Sequence, residues 1–218
     1  MDAKKMIWVL AALFLVGGCA TSSYIYTPPT NLSTPENEVV LNEPFEVVWD
    51  RMVKNLSADF FVINNIEKVS RLMNISFSAS SPGRYVDCGR TRRTFTNLRG
   101  EQVYEYAAAD SSRYTWTDGR GVALNIIRTT KLDGRTNIYV APEGGKTVVR
   151  VNTRYIVNIQ VQWYSLAGQL AGTEQHTWAF NTKEIFEYPE PQFNLTIRCV
   201  ALGTLEKKIL RAAQFENW

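Results

Sequence analysis

The sequence contains a single histidine, His176, among 218 residues. One histidine cannot form a histidine-based metal cluster or a Ser–His–Asp type of triad without partners from elsewhere in the chain. In a strand, the residues on the same face as His176 are Glu174 and Trp178, and no Ser or Cys nucleophile lies close in sequence. We therefore expect His176 to have a structural or surface role, and we expect the chain not to be an enzyme.

Other signals for chemistry are weak. Asp118 and Asp133 each precede a glycine, and Asp87 and Asp110 also lie in turn-like sequence, where aspartate has an ordinary conformational role. The segment Gly144-Gly145-Lys146 lacks the upstream glycine spacing of a phosphate-binding loop and fits a hairpin turn. We expect no cofactor and no metal.

Strong charge of one sign is also missing, since the formal net charge is +3. A balance this weak does not indicate a nucleic-acid-binding protein. The three cysteines contain no Cys-x-x-Cys pair, which argues against a thiol–disulfide catalyst.

The N-terminal apolar run is too short to span a membrane. It covers residues 6–16, whereas a spanning helix needs about 20 residues. Lys4 and Lys5 precede it, and Gly17 and Gly18 follow it, which is the basic, apolar and small-residue order of a secretory signal. Residues 1–18 are therefore predicted to be a signal peptide.

The end of this signal, Val-Gly-Gly-Cys at residues 16–19, resembles the lipobox of bacterial lipoproteins. The resemblance implies that the Cys19 sulfur receives diacylglycerol and that its freed amine receives a further acyl chain, such as palmitate. Two or three chains anchor a protein firmly, at about 0.8 kcal/mol per buried methylene. Ala20 resembles the residues that permit export to the outer membrane, which implies an outer-membrane anchor with the domain facing the periplasm.

Acylation of Cys19 would leave Cys88 and Cys199 as an even pair in an oxidising compartment. A disulfide between them is the natural interpretation and would stabilise the fold by about 4 kcal/mol in the chain-entropy model. Two unpaired buried thiols are the alternative.

The mature chain begins with a polar segment. Residues 19–37 are rich in Ser, Thr, Pro and Asn, which predicts a flexible tether. Residues 38–218 then have the length of a single domain. An insertion is expected at about 81–120, and its secondary structure cannot be read from the sequence.

The remaining elements follow from hydrophobic periodicity. Residues 38–42 predict a short strand, and a clean apolar stripe then predicts a helix. The stripe consists of Phe45, Val48, Trp49, Met52, Val53 and Leu56. Residues 60–80 predict a hairpin, and strands are predicted at 122–133, 136–165 and 172–182.

Apolar residues at spacings of three and four after Pro191 predict a C-terminal amphipathic helix of about 20 residues, from Leu195 onward. Gly203 interrupts this pattern at a cost of about 1 kcal/mol unless close packing requires it. The fold class is therefore α+β, with an antiparallel sheet wrapped on a long C-terminal helix and a second helix near the N-terminus.

This element order, with the lipobox, resembles the helix-grip domains of BamC-type lipoproteins of the outer-membrane β-barrel assembly machinery. BamC has two such domains, whereas residues 38–218 have room for one. The resemblance implies an envelope lipoprotein with a helix-grip module.

One segment invites a hypothesis about binding. Five arginines lie between residues 84 and 99 against one aspartate, and guanidinium groups bind phosphate and carboxylate in bidentate fashion. They are Arg84, Arg90, Arg92, Arg93 and Arg99. An anionic head group or an acidic partner protein could bind this segment, and a solvated loop pinned by Cys88 is an equal alternative.

Two functions therefore stay open. The first is a non-enzymatic outer-membrane lipoprotein that serves as a protein-interaction or scaffold module of a cell-envelope complex, in barrel assembly, secretion or conjugation. The second is a periplasmic module that binds a lipid or another hydrophobic ligand. The expected partners are the membrane, through the N-terminal lipid, and envelope proteins, with no nucleic acid.

Overall fold

A computed structural model of the chain describes residues 20–215. The predicted signal peptide at residues 1–18 and the predicted lipidation site Cys19 lie outside the described residues.

Within residues 20–215 the chain forms thirteen strands and two helices. The first strands are β1 (Thr21–Thr27), β2 (Glu38–Leu41), β3 (Val62–Glu67), β4 (Leu72–Ala79), β5 (Val86–Asp87), β6 (Arg90–Asn97) and β7 (Gly100–Ala107). The others are β8 (Ser112–Thr117), β9 (Ala123–Glu143), β10 (Lys146–Ser165), β11 (Leu170–Asn181), β12 (Phe186–Glu190) and β13 (Leu195–Ala201). The helices are α1 (Phe45–Ser57) and α2 (Thr204–Gln214).

The main sheet is built on one long hairpin. Strands β9 and β10 pair antiparallel without a break from Glu143↔Lys146 to Leu124↔Ser165, a length of about 65 Å. The turn is Gly144-Gly145, as the sequence predicts, and both glycines have positive φ, which suits them to a tight hairpin. Strands β2 and β11 pair with β10, β4 and β8 pair with β9, and β3 closes the edge beside β4.

Two smaller sheets complete the fold. One has the order β1-β6-β7, and the other has the order β12-β13-β5. All of these pairings are antiparallel, and only two helices accompany them. The predicted α+β class with a mainly antiparallel sheet, and the hairpin over residues 60–80, are therefore confirmed.

The inner face of the main sheet is apolar where the helices cover it. Met73, Ile138 and Val151 stand side by side across β4, β9 and β10 and are fully buried. Helix α1 forms where its apolar stripe predicts a helix, and it covers this half of the sheet with Val48, Trp49 and the other buried residues of the stripe. The opposite half of the hairpin, near residues 123–130, extends beyond the helices and forms the floor of a separate cavity.

Helix α2 is held on this face by a buried carboxylate. Glu206 is fully buried, and its oxygens accept hydrogen bonds from the Tyr155 hydroxyl at 2.7 and 2.8 Å and from the Thr182 hydroxyl at 2.8 Å. On α1, the Asn55 side-chain amide donates to the carbonyls of Ala212 and Phe215 at the end of α2. The two helices are thus joined to the sheet and to each other by polar contacts as well as by apolar packing.

The prediction of a long C-terminal helix from Leu195 is wrong. Residues Leu195–Ala201 form β13, and the helix begins only at Thr204 and has 11 residues. Gly203 separates the two with φ of 73°, a left-handed conformation that favours glycine. A Cβ on Gly203 would lie 2.4 Å from Cβ of Pro35, so close packing explains this glycine.

Residues 20–37 of the predicted flexible tether are described, and they differ from that prediction. Thr21–Thr27 pairs with β6 along its whole length, and its side chains alternate between exposed and partly buried. Asn37 is buried, and its amide donates to the Val151 carbonyl at 2.9 Å. Alternation within Thr-Ser-Ser-Tyr-Ile-Tyr-Thr allows a strand despite the polar composition.

The predicted insertion at 81–120, whose secondary structure the sequence left undecided, consists mainly of strands. It supplies β5, β6, β7 and β8, of which β8 joins the main sheet. Cys88 follows β5 and is bonded to Cys199 on β13, with the two sulfurs 2.03 Å apart. The predicted disulfide is therefore present in the structure, and it fastens β6 and its neighbours to the C-terminal sheet.

Candidate functional site

A cavity of about 150 Å³ lies at the end of the long hairpin away from the helices. Its floor is the inner face of β9, β10 and β11, and its other walls come from the β1-β6-β7 sheet, β8 and β12. The inner face changes from apolar to charged side chains here. Leu132, Val157 and Trp178 form one row across the three strands, and Arg128, Val161 and Glu174 form a row four residues further along each strand. The cavity is therefore continuous with the core but lined by polar and aromatic side chains.

Arg93 enters the cavity from β6 and lies among aromatic rings. Its guanidinium carbon is 4.4 Å from the ring centre of Tyr24, 4.5 Å from that of Tyr114 and 4.9 Å from that of Trp116. Cation–π contacts of this kind stabilise a guanidinium group by about 0.5–2 kcal/mol. The Nε atom donates to the Tyr106 hydroxyl at 2.9 Å, while the two terminal nitrogens donate to no described atom.

Arg128 contributes the second cation from the floor. Only 8% of the residue is exposed, and burial lowers the pKa of its guanidinium. Its terminal nitrogens donate to the backbone carbonyls of Ala108, at 2.7 Å, and Asp110. Among the described residues no carboxylate forms an ion pair with Arg93 or Arg128.

An indole donor without a partner also belongs to this wall. Trp178 lines the cavity and is 5% exposed, and its N–H has no hydrogen-bond acceptor among the described residues. A buried donor without an acceptor costs about 1–3 kcal/mol. With the two arginines it makes this region rich in donors and poor in acceptors.

Acidic groups lie toward the solvent side of the cavity. The Glu174 side chain is 51% exposed and accepts from His176 Nε2 at 3.0 Å. Glu190 is half-buried, and burial raises the pKa of its carboxyl, with Arg93 and His176 acting in the opposite direction. The cavity thus has two cations inside and two carboxylates nearer its mouth.

His176 has partners that sequence proximity alone could not supply. Its Nε2 contacts Glu174, and its Nδ1 lies 3.1 Å from the Tyr188 hydroxyl. A phenol, an imidazole and a carboxylate therefore form a row. Burial raises the pKa of Tyr188, which keeps the phenol protonated. A protonated phenol is a hydrogen-bond donor rather than an activated nucleophile, so the row is suited to binding.

The structure does not bring the five predicted anion-binding arginines together. Arg93 lines the cavity, whereas Arg90 and Arg92 point outward from the same strand, and Arg92 pairs with Glu105. Arg99 is exposed in the turn between β6 and β7. Arg84 lies apart from these, in a second cleft between α2 and the end of β4.

The sequence contains a signal for the cavity residues that the search for catalytic motifs does not detect. In Ile126-Ile127-Arg128-Thr129-Thr130, Arg128 occupies an inward position of an alternating strand, where an apolar residue is expected. Glu174, His176 and Trp178 share the inward face of β11 in the same way. Charged residues on the apolar phase of a strand therefore indicated a polar site on the inner face.

No model of a known protein family matches the chain, and no curated protein matches it either. Within residues 20–215, no helix is long and apolar enough to cross a membrane. The same part of the chain has no cluster of three or more His, Cys, Asp or Glu side chains suited to a metal ion.

Proposed function

We propose that this chain is a non-enzymatic, lipid-anchored outer-membrane protein whose periplasm-facing domain binds a small ligand in the cavity between the main sheet and the two smaller sheets. The single observation that carries the binding function is the pair of guanidinium groups, Arg93 and Arg128, in a cavity where neither meets a carboxylate. The anchor rests on the resemblance of residues 16–19 to a lipobox.

Electrostatics favours an anionic group on the ligand. Partly or fully buried charges are costly unless paired, and charge-assisted hydrogen bonds are roughly twice as strong as neutral ones. The terminal nitrogens of Arg93 donate to no described atom, so they are available for two parallel hydrogen bonds to a carboxylate or phosphate. A bound oxyanion would supply the acceptors that this part of the cavity lacks.

A lipid acyl chain fits the cavity less well than a compact polar molecule. The volume of about 150 Å³ is the size of cavity that holds a molecule such as benzene. Arg93, Arg128 and His176 would have to lose water against hydrocarbon without gaining partners.

The helix-grip arrangement is part of the proposal. Helix α2 packs on the inner face of β10, with Leu205 and Ile209 fully buried, and the Tyr155–Glu206 contact joins the two elements. A sheet that curves around this helix would place the cavity at its uncovered end.

Native purification tests the binding function. Full-length acylated protein is purified from membranes, and mass spectrometry identifies bound small molecules, lipids and proteins. We expect a stoichiometric small molecule with an anionic group on the wild type and on the Arg113→Lys variant, since Arg113 is an exposed arginine on β8. The molecule should be lost from Arg93→Lys, because lysine keeps the charge but cannot donate two parallel hydrogen bonds from one planar group. Wild-type protein that carries no small molecule would contradict the proposal.

A second candidate function, a scaffold module of an envelope complex, is favoured by the outer face of the β1-β6-β7 sheet. Arg90 and Arg92 are exposed there, and the apolar side chains of Ile25 and Val103 are 56% and 42% exposed beside them. Arginine beside exposed apolar residues is common at protein interfaces. Charge reversal of Arg90 and Arg92 should remove co-purifying envelope proteins and leave the small molecule bound.

The anchor has its own test. Substitution Cys19→Ala should abolish incorporation of labelled palmitate and release the protein from outer-membrane fractions. A Cys19→Ala variant that still incorporates the label would show that Cys19 is not the lipidated residue.

A further inference from the structure

We propose that the ligand of the cavity is a small zwitterion of the amino-acid type, with its carboxylate held by Arg93, its ammonium group facing Glu190 and Glu174, and its apolar body among the aromatic rings. This inference rests on the proposed binding function and names the class of ligand.

The two signs of charge are separated within the cavity. Arg128 is 8% exposed, whereas the side chain of Glu174 is 51% exposed, so the cation lies inside and the carboxylate at the mouth. Glu190 is half-buried and forms no ion pair within the described residues, although the charges of Arg93 and His176 act on it. A ligand with only an anionic group would be attracted by the two arginines and repelled by Glu174 and Glu190.

Net charge points to the same class. The lining carries two guanidinium groups, of Arg93 and Arg128, and two carboxyl groups, of Glu174 and Glu190, so a ligand without net charge adds to neither sign. A molecule with an anionic end and a cationic end can satisfy both regions at once, and a buried charge needs such pairing. A doubly charged phosphate satisfies only the inner end.

The walls are suited to an apolar or aromatic body. Trp116, Trp163 and Trp178 line the cavity, as do Ile126 and Val161. Aromatic rings stack on such surfaces with a gain of about 0.5–1.5 kcal/mol beyond the buried area. A single ring fills a volume of about 150 Å³, and the carbon that bears both the carboxylate and the ammonium group would lie where Arg93 and Glu190 approach each other.

A panel of four probes tests the inference on the full-length acylated protein in detergent micelles, by isothermal titration calorimetry. Phenylalanine carries both charged groups, 3-phenylpropionate lacks the ammonium group, 2-phenylethylamine lacks the carboxylate, and inorganic phosphate lacks the body. We expect phenylalanine to bind at least about tenfold more tightly than each of the other three, because each loses a charge-assisted contact or the apolar body.

Variants assign the two ends of the ligand. Arg93→Lys should weaken the binding of phenylalanine and of 3-phenylpropionate alike. Glu190→Gln should weaken the binding of phenylalanine and strengthen that of 3-phenylpropionate, because the mouth of the cavity then repels the anion less. Arg113→Lys and Glu187→Gln are matched controls, because both residues are exposed on strands that line the cavity. Both controls should leave all four affinities unchanged.

Equal affinity for phenylalanine and 3-phenylpropionate would overturn the inference and make the cavity a simple carboxylate site. Tighter binding of phosphate would overturn it in favour of a phosphate site. Absence of binding by all four probes would also overturn it, while a small molecule recovered from native membranes would still support the proposed function. Failure of the ligand class is therefore distinguishable from failure of the binding function.

Discussion

At the scale of single residues, Gly134 shows how the core sets a residue type. It faces inward on β9 beneath the ring of Phe77, and a Cβ at this position would lie 1.9 Å from Phe77 Cε1. Substitution Gly134→Ala must therefore displace a buried ring. We expect a loss of about 1–3 kcal/mol in the free energy of unfolding, typical of overpacked cores, measured by urea denaturation.

Gly119 provides the matched control for this prediction. Its Cβ would have no neighbour within 4 Å, so Gly119→Ala should change the free energy of unfolding by less than about 0.5 kcal/mol. If the two alanine variants had equal urea midpoints, the steric explanation for Gly134 would be wrong.

The buried hydroxyl of Tyr155 gives a second prediction at this scale. Removing it by Tyr155→Phe deletes the one hydroxyl donor that lies within hydrogen-bond distance of both oxygens of the fully buried Glu206. A buried carboxylate that loses a donor destabilises the fold, and we expect about 1–3 kcal/mol in chemical denaturation. Tyr139→Phe is the control, because Tyr139 is 36% exposed, and a comparable loss there would contradict the role of Glu206.

Glu190 predicts a dependence of stability on pH. Burial raises the pKa of its carboxyl in the folded state, with Glu174 adding to the rise and His176, Arg93 and Arg128 opposing it. The protonated form is therefore favoured by folding, and the stability contributed by Glu190 is present at low pH and lost as pH rises through the folded-state pKa.

Substitution Glu190→Gln removes this dependence. The melting temperature of the variant relative to the wild type should rise as pH increases past the pKa of Glu190 and then level off. The control Glu187→Gln changes an exposed carboxylate on the same strand, and it should give a flat difference. A difference for Glu190→Gln that falls with pH would show that the carboxylate is better paired than its surroundings indicate.

At the scale of elements, hydrophobic periodicity predicted the secondary structure correctly where one face of a helix or strand is buried and the other is exposed. The stripe of α1 and the alternation of β9 and β10 are of this kind, and both were predicted. The residues after Leu195 also fit a helical stripe, but Ile197 and Cys199 alternate on a strand, and the backbone turns at Gly203 before the helix begins. Short apolar segments fit both periods, so long-range pairing decided between them.

The cavity was less predictable than the elements because its residues come from nine strands. Tyr24, Arg93, Arg128 and His176 belong to β1, β6, β9 and β11 and meet only in the tertiary fold. Local sequence could identify inward-facing charges but not their distances from one another.

Strand β1 carries the prediction at this scale. Its seven residues pair with β6, and Tyr24 on it contributes to the cavity wall through contacts with Arg93 and Phe193. Backbone amides of β1 that donate to β6 should exchange with solvent at least about tenfold more slowly than amides of residues 30–34, measured by hydrogen exchange on the acylated protein. Equal exchange rates in the two segments would mean that residues 21–27 belong to a flexible tether, as the sequence predicts.

At the scale of the whole molecule, one hairpin carries both the core and the cavity. The helices cover one end of β9 and β10, while the β1-β6-β7 sheet and β12 enclose the other end. The strands that enclose the cavity are far apart in sequence, and a single covalent link, Cys88–Cys199, joins the β5–β6 region to β13 across a separation of 111 residues. This link closes a loop that contains the entire long hairpin.

The disulfide should therefore stabilise the molecule as a whole. Cross-linking residues this far apart removes conformational entropy from the unfolded chain, about 4–5 kcal/mol for a loop of this length in the chain-entropy model. The double variant Cys88→Ser and Cys199→Ser should lower the free energy of unfolding by about this amount in urea, and reductant should reproduce the loss in the wild type but have no effect on the double variant. Because Ile197 on β13 and Thr91 on β6 both line the cavity, the unlinked protein should also bind its ligand more weakly under conditions where it remains folded. An unchanged urea midpoint in the double variant would mean that β5 and β13 are held together by their buried contacts alone.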